Sequence, residues 1–295
     1  MKKQYMYNDE TMKWEKDGHR YLAHIQDDEF RDSPRQWDNV TTMACWHSRY
    51  DLGDSISEND PSEFWQNLVR THVPELEVAT AVEAGKLPGI RLVQDPENSS
   101  LVDIYEVSQS VSIFGRSDPE ENLEYEGVSR EAILQCIADD LTVKHCMILM
   151  EPYAEWLPLW LYDHSGITMS CGARVGQFAD AWDSSQVGWI IALKDTIIKE
   201  LCATEENWRE KAEENMRADV KIYDQYLTGE VYGYTLYEQK DAEWDEIESS
   251  WGFYGSEINE SGLVENLPGA AEALERDQCE FGQAQKRTVT TYIFD

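Results

Sequence analysis

The acidic residues of this chain are spread along its length and interleaved with aromatic ones, and that mixture limits what it can become. The 295 residues hold 58 Asp and Glu against 25 Lys and Arg, a formal charge of −33, yet also eleven Trp and fifteen Tyr. Acidic disordered tails lack aromatics, so a hydrophobic fraction of 41% points to a folded chain with a sizeable core. Residues 51–106 carry 12 acidic and 3 basic side chains, and Glu205–Glu265 carries 17 and 5. The surplus therefore falls on segments that look folded, where self-repulsion costs stability.

Charge of this size repels nucleic acid phosphates and anionic lipid, so direct binding to DNA, RNA or a membrane surface is not expected. It attracts basic surfaces, and large basic surfaces belong to proteins that hold nucleic acid. Mimicry or obstruction of such a surface is the role the composition favours. No apolar run approaches the roughly 20 residues of a membrane-spanning helix. Met1-Lys2-Lys3-Gln4-Tyr5 leads into polar sequence, so a secretory signal is not expected either. Cys45, Cys136, Cys146, Cys171, Cys202 and Cys279 are scattered without a C-x-x-C pair. Free thiols in a reducing cytoplasm are the expectation.

At about 100–200 residues per domain, the length suggests two domains or one with a large insertion. Residues 1–18 are polar with isolated aromatics and read as an arm or a loosely docked strand, and His19–Gln26 as a short strand. Ser62–His72 reads as an amphipathic helix with Ser62 as its cap, its inward face formed by Phe64, Trp65, Leu68 and Val69. A second helix over Leu76–Ala84 ends at Gly85. Leu101–Phe114 alternates in part and suggests a strand, and Ser117–Glu126 an acidic, solvated stretch. Ser129 caps a predicted helix reaching Leu141, and the apolar run His145–Met150 reads as a buried strand, with Trp156–Tyr162 similar. Val187–Leu193 reads as a strand feeding a helix over Lys194–Leu201. A longer helix over Glu205–Leu227 stops at Thr228-Gly229. Strands are expected at Val231–Leu236 and, across a turn near Lys240-Asp241, at Trp244–Tyr254. A helix over Leu263–Arg276 and a strand over Thr288–Phe294 complete the reading. Long helices beside hairpin-like strands, without repeated βαβ units, argue for an α+β fold with antiparallel strands. The expected division is 1–60 as an arm and first part of the main domain, 61–150 as an inserted subdomain, and 151–295 as the main α+β domain.

Two constellations have residue types that carry chemistry. Cys45-x-His47 lies near Asp51 and Asp54, and thiol, imidazole and carboxylates together can ligate zinc. C-x-H is not a standard metal spacing, however, and a buried thiol beside a hydrogen-bonded imidazole accounts for the same residues. Tyr162-Asp163-His164-Ser165-Gly166, with Cys171 and Asp183 downstream, contains the residue types of a nucleophilic triad. Adjacent residues of an extended chain point to opposite faces, so Asp163 and Ser165 cannot simply flank His164; a local turn accounts for them as well. No G-x-S-x-G elbow, phosphate-binding loop, dinucleotide fingerprint, H-E-x-x-H or calcium loop occurs. The expectation is no catalytic residue, no metal and no cofactor.

The acids are the positive signal. On the helix from Glu205, the pairs Glu206–Glu210 and Glu210–Glu214 set like charges four residues apart, each costing a few tenths of a kcal/mol. Glu213 adds to this face, while Arg209, Lys211, Arg217 and Lys221 relieve part of it. Aromatics interleave with acids further on, from Tyr223 and Tyr226 to Trp244, Trp251, Phe253 and Tyr254. At a protein interface Tyr and Trp anchor while carboxylates select a basic partner. The candidate partner-binding residues are Glu206, Glu210, Glu213, Glu214, Tyr237, Glu243, Trp244, Asp245 and Glu246.

Several blocks resemble those of proteins from phages and mobile elements. They are Trp37-Asp38-Asn39 with Thr42–Asp54, Leu157–Met169, Trp182–Gly188, Tyr223–Tyr234 and Trp251–Gly255. Together they span the chain except for roughly 60–150. With size and acidity, they make the chain similar to phage-encoded anti-defence proteins of the kind that inhibits Gabija immunity. That resemblance implies a non-enzymatic inhibitor working in the host cytoplasm. It would assemble as a homo-oligomer on a nuclease–helicase immune complex with a basic DNA-binding surface and block its DNA binding. Two alternatives stand beside it. One is a metal- or thiol-dependent hydrolase using Cys45, His47, Asp163 or His164; the other is an acidic DNA mimic directed at restriction enzymes.

Overall fold

Strands and helices alternate irregularly along this chain, and in the computed structural model every strand pairing described is antiparallel. The fold class is α+β. The structure describes residues 4–108, 111–112, 115–116, 120–180, 182–241, 243–288 and 291–293. In chain order, strands β1 (Glu10–Lys16), β2 (His19–Asp27) and β3 (Thr41–Cys45) precede helices α1 (Pro61–His72) and α2 (Glu75–Glu83). Then come β4 (Ile90–Gln94), β5 (Leu101–Ser108), the two-residue strands β6 (Val111–Ser112) and β7 (Gly115–Arg116), and β8 (Glu120–Ser129). Helices α3 (Ile133–Ile137) and α4 (Val143–Met150) lead to β9 (Ala154–Asp163), β10 (Ile167–Cys171) and β11 (Ser184–Leu193). Helices α5 (Lys194–Glu200) and α6 (Trp208–Thr228) follow, then β12 (Val231–Lys240) and β13 (Glu243–Tyr254). Helix α7 (Ala270–Glu275), β14 (Glu280–Gln283), β15 (Gln285–Thr288) and β16 (Thr291–Ile293) end the order. No helix among the described residues is long and apolar enough to cross a membrane.

The chain forms two units. The first comprises Met1–Asn39, Leu159–Gln186 and Arg217–Asp295, the second Val40–Pro158 and Val187–Met216. Residues 61–150 thus lie within the second unit, together with parts of the segments expected to flank them as a main domain. Strands β9 and β11 and helix α6 cross these boundaries and give residues to both units.

The first unit is built on a five-stranded sheet in the order β13-β12-β2-β1-β14. Four consecutive residues of β2, Leu22–Ile25, are buried, as suits a central strand covered on both faces. Of the stretch read as an arm or loosely docked strand, Glu10–Lys16 is firmly docked: β1 sits inside the sheet between β2 and β14, with Met12 and Trp14 in the core, and residues 1–3 lie outside the described residues. The isolated aromatics had hidden a strand whose apolar side chains are few but fully used. Ile258, Leu263, Leu267 and Ala270 pack against Met12, Ala23, Ile25 and Tyr234. The helix expected over Leu263–Arg276 is interrupted: a 3-10 turn covers Val264–Asn266, and α7 starts only after Pro268-Gly269. Proline lacks the amide donor a continuing helix needs, which explains the break.

In the second unit, helices α1, α2, α3 and α4 and the sheet β4-β5-β8 share a core of Trp65, Val69, Val82, Ile104, Ile133 and Met150. Strands β3 and β11 pair with Gly188 opposite Cys45. Helix α1 is capped by Asp60, whose carboxylate accepts the Ser62 and Glu63 amides at 2.7 and 3.0 Å, so Ser62 is not the cap. Ser129 makes no capping bond, and the expected helix after it shrinks to a 3-10 turn and the five residues of α3. The run His145–Met150 is not a strand but most of α4. Thr142 caps it, its Oγ1 accepting the His145 amide while the His145 ring accepts the Thr142 amide. A short apolar run fits a buried strand and a buried helix equally, and the cap decides between them. The expected strand over Leu101–Phe114 is β5 as far as Ser108, with Ile113 and Phe114 outside the described residues. Residues 120–126, expected to be solvated, are exposed but belong to strand β8, and 117–119 also lie outside the described residues. Of the expected terminal strand, Thr291–Ile293 is β16, pairing with β15; residues 289, 290 and 294 lie outside.

The remaining expectations hold closely. Val187–Leu193 falls in β11 and runs directly into α5. Helix α6 buries a single stripe of Trp208, Ala212, Met216, Val220 and Tyr223. It ends at Gly229, whose φ of 82° allows the Glu230 amide to bond back to Gln225 O at 2.8 Å. The β12–β13 hairpin turns at Lys240-Asp241, as expected.

Candidate functional site

A cleft of about 700 Å³ opens in the first unit beside the C-terminal part of β13. Its acidic wall comes from the residues before β1 and the chain leaving β2: Asp9, Asp27, Asp28, Glu29 and Asp32. Its aromatic wall is Phe30, Trp37, Trp251 and Tyr254. Among the described residues neither Lys nor Arg lines it.

Local chain geometry explains why these rings stand in water. In the β12–β13 register Tyr232 faces Phe253 and Gly233 faces Trp251, so Gly252 is an extra residue, held at a φ of 86°. Such a bulge with glycine in the left-handed region bends the strand and re-aims its neighbour. The Trp251 indole lies on Gly233, where any Cβ would overlap the ring. Trp251 stays 47% exposed. Tyr254 donates its hydroxyl to Asp32 O at 2.6 Å, and Trp37 meets it edge-on at 5.3 Å. Phe30 is 92% exposed at the tip of a turn in which its amide bonds the Asp28 carboxylate and the Asp28 amide bonds Val231 O.

The carboxylates are held without being neutralised. Arg31, in the same turn, spends its guanidinium on the carbonyls of Tyr226 and Asp28 and lies over the Tyr226 ring. Tyr226 is in the last turn of α6, where carbonyl groups and the helix dipole favour a cation. Asp9 is fixed by the buried His24, whose Nε2 lies 3.1 Å from its Oδ1. Among the described residues Asp27, Glu29 and Asp32 form no ion pair. Desolvation, followed by the Asp9 charge and then Glu29, raises the Asp27 pKa, while Arg31 offsets only part of this. Burial, with Asp28 and Asp32, likewise raises the Tyr254 hydroxyl. The wall therefore carries negative potential that a cation would relieve.

The residues expected to bind a partner fall into two groups. Tyr237, Glu243, Trp244, Asp245 and Glu246 share the β12–β13 hairpin of the first unit. Three of them, Glu243, Asp245 and Glu246, are exposed, whereas Tyr237 and Trp244 are half-buried. Strand β13 is at a sheet edge, and Lys240 approaches Asp245 and Glu238 at 3.6 and 3.7 Å. Glu206, Glu210, Glu213 and Glu214 are also exposed but belong to the second unit, on or just before α6. There Arg209 stacks on Trp208 and bridges Glu151 and Glu155, and Lys194 pairs with Glu205. No residue lining the cleft belongs to the expected set, although Trp251 and Tyr254 are among the aromatics that interleave with acids in the sequence. The signals that point to them are a lone Phe within Asp27-Asp28-Glu29-Phe30 and a Trp-Gly step opposite a strand glycine.

Residues of the two chemical constellations make local structural contacts. His47 stacks on Tyr50 and accepts the Arg49 and Tyr50 amides at 3.3 Å, while Asp54 accepts the Met43 amide at 2.8 Å. His164 sits in the β9–β10 turn beside Asp183, at 3.3 Å, not between Asp163 and Ser165. Ser165 occupies the left-handed region of that turn, with φ of 60°. Among the described residues no group of three or more His, Cys, Asp or Glu side chains is placed to hold a metal ion. Among the described residues none of the six cysteines is in a disulfide. Burial pushes the Cys146 thiol up to about 12, and burial, aided by Asp277, pushes Cys279 up to about 11, so both remain protonated at neutral pH. Comparison with known protein families, curated proteins and solved structures finds no match to this chain.

Proposed function

We propose that this chain is a non-catalytic docking protein that engages a cationic surface on a protein partner. The observation carrying this reading is the first unit's cleft, where exposed rings stand beside Asp27, Glu29 and Asp32, which form no ion pair among the described residues. The acidic β13 edge extends the same character. A formal charge of −33 would steer such a partner in from solution and favour fast, salt-sensitive association.

The resemblance of the sequence blocks to those of phage proteins supports a class for the partner. It is a host nuclease–helicase complex of the Gabija type, whose DNA-binding surface is basic. An acidic body seated there, singly or as a homo-oligomer in the host cytoplasm, excludes DNA by occupancy and by charge, and no bond need be made or broken. The test is direct. The purified chain is added to a purified nuclease–helicase complex already able to bind a DNA duplex, and DNA retention is measured. Stoichiometric loss of DNA binding, with the chain recovered on the complex and unchanged in mass, is expected. DNA binding unaffected by excess chain would refute the proposal.

A further inference from the structure

Aromatic rings are costly to leave in water, and the first unit leaves three of them around one cavity. Phe30 is 92%, Trp37 49% and Trp251 47% exposed, and all three line the same cleft. The chain is built to keep them there: Gly233 gives the Trp251 indole its seat, and the Gly252 bulge positions it. The concave wall between the rings is polar and negative. The turn's own Arg31 is directed to the end of α6 rather than into the cleft, and among the described residues neither Lys nor Arg lines it.

We propose that this cleft takes one arginine side chain of the docked partner. This rests on the docking reading above and names the group that anchors it. A guanidinium is planar, so its face can lie on an indole or phenyl ring while its edge donates paired N–H bonds to a carboxylate. The cleft offers both elements, rings at its rim and the carboxylates of Asp27, Glu29 and Asp32 on its wall. Lysine is the poorer fit, because a compact ammonium lacks the flat face and the two-pronged edge. At about 700 Å³ the cavity also has room for the backbone on either side of such a side chain.

The test uses the full chain labelled with 5-fluorotryptophan and followed by fluorine NMR. Loss of one resonance in Trp251→Phe and of another in Trp37→Phe assigns the two rim signals. The probes are capped Gly-Arg-Gly, its lysine and citrulline counterparts, and spermidine. The arginine peptide is expected to shift the Trp251 and Trp37 signals saturably while leaving that of the buried Trp65 in place. Lysine should bind about fivefold more weakly and citrulline not measurably. Phe30→Ala, a change at an almost fully exposed side chain that leaves folding intact, should weaken the arginine peptide about fivefold. Equal response to all peptides, tighter binding of spermidine, or wild-type affinity in Phe30→Ala and Asp27→Asn would overturn the inference. Binding to the nuclease–helicase complex is measured in parallel. If the complex binds wild type and Phe30→Ala equally well, the arginine anchor fails while docking stands. If the peptide binds as expected and the complex does not, the pocket stands and the docking reading fails.

Discussion

The two units use the same kinds of residues to opposite ends. In the second unit the aromatics turn inward: Trp65 is fully buried and meets Phe64, Trp156 and Trp189 edge-to-face at 5.3–6.3 Å, with Trp46 against Phe64 and Trp189. Several of its acids are matched by arginine, as in Arg209 with Glu151 and Glu155, Arg130 with Glu83, Arg91 with Glu121, and Arg70 with Asp139. In the first unit Arg35–Asp219 and Lys221–Glu260 do the same, yet around the cleft rings stay exposed and, among the described residues, Asp27, Glu29 and Asp32 form no ion pair. Abundance of acid and aromatic residues does not itself make a docking face. The face appears where a bulge and a turn hold them at the surface without basic neighbours.

Substitutions that move a residue from one use toward the other should break this contrast. The largest effect is expected from Trp65→Ala, which empties the middle of the second unit's aromatic cluster and should cost about 3–5 kcal/mol in denaturant unfolding. Binding of the arginine peptide, at the folded population, should not change. Gly233→Ala in the first unit forces its methyl into the Trp251 ring and should cost about 1–3 kcal/mol. Unlike Trp65→Ala, it should also abolish the Trp251 response to the peptide.

Acidity gives a smaller and reversible effect. The folded Asp27 pKa lies above its ordinary value, so ionising Asp27 lowers stability; its favourable contribution is complete below the unfolded pKa and is lost as pH rises through the folded one. A bound cation favours the ionised form and pulls that pKa back down. Affinity for a cationic ligand should therefore be level near neutrality and fall as pH drops through the raised Asp27 pKa. Asp9, Glu29, Asp28, Asp32 and Tyr254 face the same space, and Arg31 opposes them. Titrating affinity against pH in wild type and Asp27→Asn checks this, since the variant should lose part of the slope while being no less stable at neutral pH. The smallest effect belongs to the second unit: Arg209→Met, which keeps a chain over Trp208 but breaks a solvent-exposed ion pair, should cost below about 1 kcal/mol.

Much of the fold was legible because its signals were local. The stripe of α6 with Gly229 behind it, and the hairpin around Lys240-Asp241, announce themselves within a few residues. Strand β1 was not legible, because Met12 and Trp14 are buried by partners that lie far along the chain, including Leu267 and Ala270. The identity of α4 depended on the cap at Thr142 rather than on its apolar run. The site was legible in kind but not in place. Acids on the β13 hairpin and on α6 were countable in the sequence, yet their division between units was not. Phe30 and Asp27 fall in a stretch, Asp27–Pro34, that reads as a charged turn, and such a turn usually means only solvation. What makes them a wall is the return of Trp251 and Tyr254 more than 200 residues later.

The central claim is tested most directly by the affinity of the whole chain for the purified nuclease–helicase complex. It should be measured for wild type and for the Phe30→Ala/Trp251→Ala double variant at about 50 and about 300 mM salt, a range over which screening changes strongly. Wild type should bind tightly at low salt and far more weakly at high salt, with the double variant at least about tenfold weaker at both. A wild type that does not bind at low salt, or a double variant that binds as tightly as wild type, would contradict the account.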